Sequence, residues 1–224
     1  MRNIVISVLL FISGYLNGQQ INDWANLSRY DSLNKELIQS KKNVKIVLMG
    51  NSITEAWAAI HPIFFSQNEL IGRGISGQTT PQMLVRFRAD VVDLHPEKVV
   101  ILAGTNDIAG NTGTMTLEQT LDNLKSMVEL CQANAIKVAL CSVLPATDFP
   151  WRPGLSPDEK IPQLNELIKA YCIENKLVYI DFFSAMTDGN NGLREELTYD
   201  GVHPNESGYW VMEKILMKVL LNTD

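Results

Sequence analysis

Cysteine and histidine are scarce in this sequence, which holds three of each in 224 residues. An odd number of cysteines excludes a framework in which every thiol is paired internally. Cys131, Cys141 and Cys172 lie in apolar stretches and are predicted to be buried small hydrophobic residues, with a single disulfide between two of them left open. The HExxH, CxxC and GxGxxG motifs are absent, so neither a metal nor a cofactor is expected.

An excess of positive charge is also lacking, since 19 basic residues stand against 25 acidic ones and the net charge is −6. Removal of an N-terminal leader that contains Arg2 leaves 18 basic residues and a net charge of −7. A chain of this charge is not expected to bind nucleic acid or an anionic membrane surface through electrostatic attraction.

Long hydrophobic runs are confined to the N-terminus, where residues 4–16 are mostly apolar. This run of about thirteen residues is short for a membrane span, which needs about twenty. It follows the basic Arg2 and precedes a polar stretch, which is the order found in secretory signal peptides. Residues 1–18 are therefore predicted to be a signal peptide, and residues 19–224 a single domain that is exported to the periplasm or the extracellular space without a stable membrane anchor. A buried N-terminal strand or helix is the alternative.

Short apolar runs alternate with helical patterns along the rest of the chain. Five runs are predicted to be strands: Val44–Met49, Glu69–Gly72, Lys98–Ala103, Lys137–Val143 and Leu177–Ile180. Their nearly continuous apolar character is typical of a parallel sheet that is covered on both faces. Helices are predicted between the strands, and another over Ile21–Ser40 before the first one. This alternation favours a three-layer α/β/α fold with a flavodoxin-like parallel sheet of strand order 2-1-3-4-5.

Three polar motifs follow predicted strands 1, 2 and 3, at the carboxyl ends where open α/β sheets bind ligands. They are GNSIT (residues 50–54), GISGQT (residues 74–79) and GTND (residues 104–107). Because these strands are neighbours in the predicted order, Ser52, Gly77 and Asn106 are expected to lie close together. Each also has an ordinary structural alternative, namely a helix N-cap, a turn glycine and an Asx turn, respectively.

A fourth motif, DGVHP, places Asp200 three residues before His203 near the C-terminus. A carboxylate at this spacing can accept a hydrogen bond from one ring nitrogen and leave the other nitrogen free as a base. His203 is therefore the candidate general base, and His61 is the alternative. His95 has no such partner and precedes a predicted strand, which places it at the opposite end of the sheet.

Together the four motifs resemble those of the SGNH-hydrolase (GDSL-like) superfamily, close to its platelet-activating-factor acetylhydrolase-like and lysophospholipase-L1-like esterases. The resemblance spans about residues 44–221. It implies a serine esterase in which Ser52 is the nucleophile, His203 is the base and Asp200 orients His203. It also implies a flavodoxin-like fold and no cofactor.

The same resemblance implies an oxyanion hole made by the backbone amides of Ser52 and Gly77 and the side chain of Asn106. Two positions depart from the family pattern. Asn51 stands where aspartate is usual, and Gly72 stands where many relatives carry asparagine. Neither departure removes a group assigned to the chemistry.

Aromatic and basic residues near the motifs are the candidates for substrate binding: Trp57, Arg73, Trp151, Arg152 and Tyr199. The loop after strand 4 is long and proline-rich, and its tryptophan beside an arginine suits a sugar ring with an acidic or hydroxylated group, although loop packing is an equal alternative. The predicted function is hydrolysis of short acyl esters, chiefly acetyl, on a carbohydrate or another small molecule. A lysophospholipase or thioesterase, an acyltransferase and a non-catalytic glycan-binding module are the alternatives.

Overall fold

The structure is a computed structural model that describes residues 23–41 and 43–221. The predicted signal peptide, residues 1–18, lies outside the described residues. Among the helices of the described ranges, none has both the length and the apolar composition that a membrane crossing requires.

A sheet of five parallel strands, in the order β2-β1-β3-β4-β5, forms the middle layer of the described chain. The strands are β1 (Ile46–Gly50), β2 (Leu70–Gly74), β3 (Lys98–Leu102), β4 (Lys137–Cys141) and β5 (Val178–Ile180). The predicted fold and strand order are confirmed. The second strand, which the sequence predicts over residues 69–72, runs instead from Leu70 to Gly74 and pairs with β1 over its whole length.

Helices cover both faces of this sheet. In the described chain they are α1 (Asp31–Ser40), α2 (Ser52–Ile60), α3 (Pro62–Gln67), α4 (Thr80–Asp90), α5 (Thr105–Ile108), α6 (Leu117–Ala133), α7 (Pro157–Glu174), α8 (Phe183–Met186) and α9 (Glu206–Leu221). Side chains alternate between the two faces along each strand. In β1, Val47 and Met49 pack into an apolar cluster with α4, α6 and α7, whereas Leu48 packs into a second cluster with α2 and α9.

The segment before β1 is not the single helix predicted over Ile21–Ser40. The chain first makes a 3-10 turn at Leu27–Arg29, and α1 begins only at Asp31. The carboxylate of Asp23 accepts hydrogen bonds from two backbone N–H groups in this region, and Asn26 adopts a left-handed conformation. These local bonds compete with helical ones, so the chain turns where helical periodicity alone predicts a longer helix.

The three cysteines are buried free thiols, as predicted from their apolar surroundings, and no disulfide joins them. Burial raises the pKa of Cys131 to about 12 and that of Cys172 to about 11. Burial likewise raises the pKa of Cys141 well above its ordinary value. The thiols therefore stay protonated at neutral pH, and none is suited to act as a nucleophile.

The carboxyl ends of β1, β2 and β3 are level with one another. Gly50, the last residue of β1, is aligned with Gly74 of β2 and with Leu102 of β3. A Cβ atom at Gly50 would overlap the side chain of Thr54, and one at Gly74 would overlap the backbone of α2. Glycine at both positions lets α2 start close against the sheet, so the polar motifs leave the three strands from neighbouring points.

Arg86 of α4 is buried beneath these strand ends and binds two of them. Its guanidinium donates hydrogen bonds to the carbonyl oxygens of Gly50, at 3.0 Å, and Arg73, at 2.9 Å. It also pairs with Asp90, one helical turn later, at 2.8 Å. Burial lowers the pKa of the guanidinium, and the carboxylate of Asp90 opposes that shift. This one side chain therefore ties β1 and β2 to α4.

We expect Arg86→Met to lower the free energy of unfolding by about 3–5 kcal/mol, because it leaves the carboxylate of Asp90 buried without its charged partner and removes the hydrogen bonds to two carbonyl oxygens. Urea denaturation followed by circular dichroism measures this change in the free energy of unfolding. Arg88→Met removes an exposed arginine from the same helix, and it should change the stability by less than about 0.5 kcal/mol. Equal effects of the two substitutions would contradict the role given to Arg86.

Candidate active site

Ser52, His203 and Asp200, which the sequence predicts to act together, form a continuous series of hydrogen bonds. The Oγ of Ser52 lies 3.0 Å from Nε2 of His203. The other ring nitrogen, Nδ1, lies 2.7 Å from Oδ2 of Asp200. When Nδ1 donates its hydrogen to the carboxylate, Nε2 presents a lone pair to the serine hydroxyl. This is the arrangement of a nucleophile, a base and a group that orients the base.

The backbone of the loop that carries His203 also holds the carboxylate of Asp200. Its Oδ1 accepts hydrogen bonds from the backbone N–H groups of Val202, at 3.0 Å, and His203, at 2.7 Å. Burial acts to raise the pKa of this carboxyl, but the hydrogen bonds from His203 and Val202 outweigh it and hold the pKa below its ordinary value. The carboxylate is therefore ionised at neutral pH and can stabilise a positive charge on the imidazole.

Ser52 is the first residue of α2 and follows directly on the turn after β1. The N-cap of this helix is Asn51, whose side-chain oxygen accepts a hydrogen bond from the N–H of Ile53 at 3.1 Å. Ser52 is therefore not the N-cap, and its hydroxyl bonds to His203 instead. Asparagine in place of the usual aspartate preserves this cap, because an amide oxygen accepts the same hydrogen bond.

Gly77 and Asn106 present hydrogen-bond donors on the loops that follow β2 and β3. Gly77 has a left-handed backbone with φ of 78°, and its N–H donates to no group of the described chain. The buried side chain of Asn106 donates one amide hydrogen to the carbonyl of Gln78 at 2.9 Å. An amide group carries two such hydrogens, so the second is available to another acceptor.

The loop that carries Gly77 is clamped by a carboxylate that the sequence motifs do not single out. Glu55 of α2 accepts hydrogen bonds from the backbone N–H of Ser76, at 2.8 Å, and from its hydroxyl, at 2.5 Å. The other oxygen of Glu55 pairs with Arg29 at 2.9 Å. Burial acts to raise the pKa of Glu55, but the bonds from Ser76 and Arg29 outweigh it and lower the pKa. The signal in the sequence is spacing, since residues three apart lie on the same side of a helix.

Two aromatic side chains flank the ring of His203. The ring of Tyr199 stacks on it, with centroids 5.7 Å apart and an interplanar angle of 9°. The ring centroid of Trp151 lies 5.8 Å from that of His203, and the indole N–H of Trp151 donates to Oδ1 of Asn111 at 3.2 Å. Tyr199 is 66% exposed and Trp151 is 43% exposed. The structure therefore brings both predicted substrate-binding aromatics from the later half of the chain to the triad.

Two other predicted substrate-binding residues lie in the core, so those assignments are wrong. Trp57 is buried, and its indole N–H donates to the carboxylate of Glu213 at 3.2 Å. Arg73 is buried against α1, where its guanidinium donates to Oδ1 of Asn34 at 2.8 and 3.0 Å. Both side chains are committed to packing and hydrogen bonding inside the protein, which leaves neither free to contact a substrate.

Arg152 and His61 both make hydrogen bonds to groups outside the triad. Arg152 donates to the carbonyl oxygens of Ala109 and Gly110, at 2.8 and 2.5 Å, and so supports a loop beside the site rather than the triad itself. His61, the alternative base, pairs with Glu213 at 2.5 Å and makes no hydrogen bond to the candidate nucleophile. Within the part of the chain that the structure describes, no three His, Cys, Asp or Glu side chains are grouped as metal ligands.

The sequence and the fold both resemble those of known proteins. The family model of the GDSL-like lipase/acylhydrolase family matches residues 48–211. A GDSL-like lipase from Bacteroides thetaiotaomicron shares 47% sequence identity, with a TM-score of 0.86 over 89% of this chain and 99% of that one.

Curated relatives are more distant. The acetylxylan esterase of Xylanibacter ruminicola is 26% identical over 210 residues, which cover 77% of this chain and 42% of that protein. An uncharacterised lipoprotein of Bacillus subtilis is 32% identical over 80 residues, which cover 34% of this chain and 33% of that protein. This chain therefore spans less than half the length of either relative.

Proposed function

We propose that this chain, which belongs to the GDSL-like lipase/acylhydrolase family, is an ester hydrolase that removes short acyl groups, chiefly acetyl, from a carbohydrate. In this proposal Ser52 is the nucleophile, His203 is the general base and Asp200 orients and stabilises the imidazole. The observation that carries the proposal is the unbroken hydrogen bonding from the serine Oγ through both ring nitrogens to the carboxylate.

In the first half of the reaction, Oγ of Ser52 attacks the carbonyl carbon of the ester while Nε2 of His203 takes the hydroxyl proton. The bond between that carbon and the alcohol oxygen then breaks, and His203 gives the proton to the departing alcohol. Asp200 remains ionised and stabilises the transient imidazolium. The products of this half are an acylated serine and a free sugar hydroxyl.

In the second half of the reaction, a water molecule takes the place of the alcohol. His203 removes one proton from the water as the water oxygen attacks the acyl carbon. When the bond between that carbon and Oγ of Ser52 breaks, His203 returns the proton to the serine oxygen. The carboxylic acid leaves, and both side chains are restored to their starting protonation states.

The negative charge of each tetrahedral intermediate is bound by the backbone N–H groups of Ser52 and Gly77 and by the side-chain amide of Asn106. Two observations support these assignments. The Gly77 N–H has no acceptor in the described chain, and one amide hydrogen of Asn106 remains uncommitted. The N–H of Ser52 lies in the first turn of α2, where helix amides lack intrahelical partners and favour negative charge. Donors of this kind each contribute roughly 3–4 kcal/mol to transition-state stabilisation.

The exposed rings of Tyr199 and Trp151 support a carbohydrate as the alcohol part of the ester. Sugar rings have apolar C–H faces, and burial of such surface against an exposed aromatic ring is favourable. The relationship to the acetylxylan esterase of Xylanibacter ruminicola points in the same direction, although this chain matches only 42% of that protein.

We propose further that the protein acts outside the cytoplasm, with residues 1–18 as a cleaved signal peptide. The basic start and the short apolar run support export. The similarity to a lipoprotein of Bacillus subtilis supports it as well. The mature chain carries an excess of acidic residues, so the proposed partners are ester substrates and include neither nucleic acid nor a membrane surface.

We expect Ser52→Ala to lower kcat for p-nitrophenyl acetate by at least about 10⁴-fold, because the substitution removes the atom that forms the acyl-enzyme. Release of p-nitrophenol measures the rate, and covalent labelling with a fluorophosphonate probe reports the nucleophile directly. Ser66→Ala removes an exposed serine hydroxyl on α3 and serves as the matched control. Ester hydrolysis at the native rate by a folded Ser52→Ala protein would refute the assignment.

We expect Trp151→Ala to raise KM for acetylated xylo-oligosaccharides about tenfold, which corresponds to the loss of about 1.4 kcal/mol of binding. Its KM for p-nitrophenyl acetate should change little, because that ester carries no sugar. The control is Trp210→Ala, which removes an exposed tryptophan on α9 that contacts His61. Equal effects on sugar and non-sugar esters would contradict the role of Trp151. Faster turnover of long-chain acyl esters than of acetylated sugars would contradict the proposed substrate.

We expect Glu55→Gln to lower kcat for acetyl esters about tenfold while KM stays nearly constant, because Gly77 donates its hydrogen bond only once the oxyanion forms. A glutamine has one acceptor oxygen, which cannot serve both Ser76 and Arg29. The thermal midpoint should remain native-like, and this readout separates positioning from unfolding. An unchanged kcat would show that the clamp on the Gly77 loop does not contribute to catalysis.

A further inference from the structure

A cavity of about 420 Å³ opens beside the candidate active site, between the loop after α5 and the first turns of α6 and α7. Arg152 forms part of its wall, and the preceding residue, Trp151, contacts the ring of His203. The side chain of Asn111, in the loop after α5, donates to the Gly77 carbonyl and accepts from the indole N–H of Trp151. The cavity and the triad are therefore neighbours, joined by the segments around residues 109–111 and 151–152.

The lining of this cavity carries two basic and two acidic side chains. It includes Arg152 and Lys160, and neither is paired with a carboxylate of the described residues. Glu118 is the exposed carboxylate among the lining residues. The other acidic residue, Asp107, is 2% exposed, and its Oδ2 has no hydrogen-bond partner. Burial raises the pKa of Asp107, which favours its neutral form.

The remaining surface of the cavity suits a sugar ring. Aliphatic side chains and hydroxyl groups alternate there, from Met115, Leu117 and Leu155 to Thr114 and Thr116. Such a mixture matches the C–H faces and hydroxyl groups of a pyranose. A volume of about 420 Å³ also lies within the range of small-molecule sites.

We infer that this cavity is a subsite for an acidic sugar, so that the substrate is an acetylated carbohydrate with a uronate carboxylate near the acetyl ester. The inference rests on the proposed function, since it places the uronate beside the sugar whose acetyl group reaches Ser52. A carboxylate in the cavity forms charge-assisted hydrogen bonds with Arg152 and Lys160. Arg152 is already engaged by the carbonyls of Ala109 and Gly110, so Lys160 is the more informative residue to substitute.

The first experiment compares acetate release from acetylated oligogalacturonides with release from the same oligosaccharides after their carboxylates are converted to methyl esters. We expect kcat/KM to be about tenfold higher for the free carboxylate form at low ionic strength. High salt should reduce the difference, because it screens exposed charges. Equal or faster turnover of the methyl esters, by a protein that hydrolyses p-nitrophenyl acetate, would overturn the acidic subsite and leave the esterase assignment standing.

The second experiment assigns the preference to the cavity. Lys160→Gln should lower kcat/KM about tenfold on the acidic oligosaccharides and leave p-nitrophenyl acetate turnover unchanged, whereas Lys160→Arg should retain the preference. Lys169→Gln removes the same charge from an exposed position on α7 and should behave like the native protein. Indistinguishable behaviour of Lys160→Gln and Lys169→Gln would overturn the inference. Failure of the native protein to hydrolyse any ester, p-nitrophenyl acetate included, would overturn the proposed function as well.

Discussion

The geometry of the site depends on a buried arginine that joins the ends of two strands. Arg86 donates to the carbonyl of Gly50, at the end of β1, and to that of Arg73, near the end of β2. Ser52 follows the first position by two residues, and Gly77 follows the second by four. A guanidinium has five donors in a plane, which suits it to bridge several acceptors at once. Burial of a cation costs free energy unless its N–H groups are hydrogen-bonded, so the folded state favours an arrangement in which Arg86 makes all of these contacts at once. The proposed nucleophile and the loop that carries Gly77 are thus positioned by the core.

The proposed base reaches the same point from a distant part of the chain, since His203 lies 151 residues after Ser52. Packing of α9 against α2 brings the two together. The buried hydroxyl of Tyr209, in the first turns of α9, donates to the carbonyl of Ile53 at 3.0 Å. The Asp200 loop immediately precedes α9, so a bond that fixes the start of α9 on α2 also fixes the imidazole above the serine. The triad therefore requires the fold of the whole described chain, and no single loop contains it.

The five-stranded order and the positions of Ser52, Gly77 and Asn106 were predictable because each motif is tied to a strand end, and parallel strands present those ends along one edge. The side to which a neighbouring residue points was not predictable from its distance to a motif along the sequence. Trp57 follows the serine by five residues, which is a rotation of about 500° around the helix and leaves it about 140° away. It therefore faces the core. Glu55 follows by three residues, lies about 60° from the serine direction and reaches the Gly77 loop. Motif adjacency selected the wrong one of the two, whereas helical geometry distinguishes them.

The buried region behind Gly77 and Asn106 is rich in polar side chains, and most of their polar atoms are hydrogen-bonded. The side chain of Gln78 bonds to the carbonyl of Ala25 and to Arg86, and Thr80 donates to Asp107 through both its backbone and its hydroxyl. Each of these groups would cost free energy if it were buried without a partner. Bonded together, they fix the loop that carries Gly77. The surroundings have a low dielectric constant, so a hydrogen-bond donor acts on an oxyanion more strongly there than it does in water. Donors fixed in this way need no reorganisation as charge develops on the substrate oxygen. We therefore propose that the polar core next to β2 and β3 holds Gly77 and Asn106, the proposed oxyanion donors, in place.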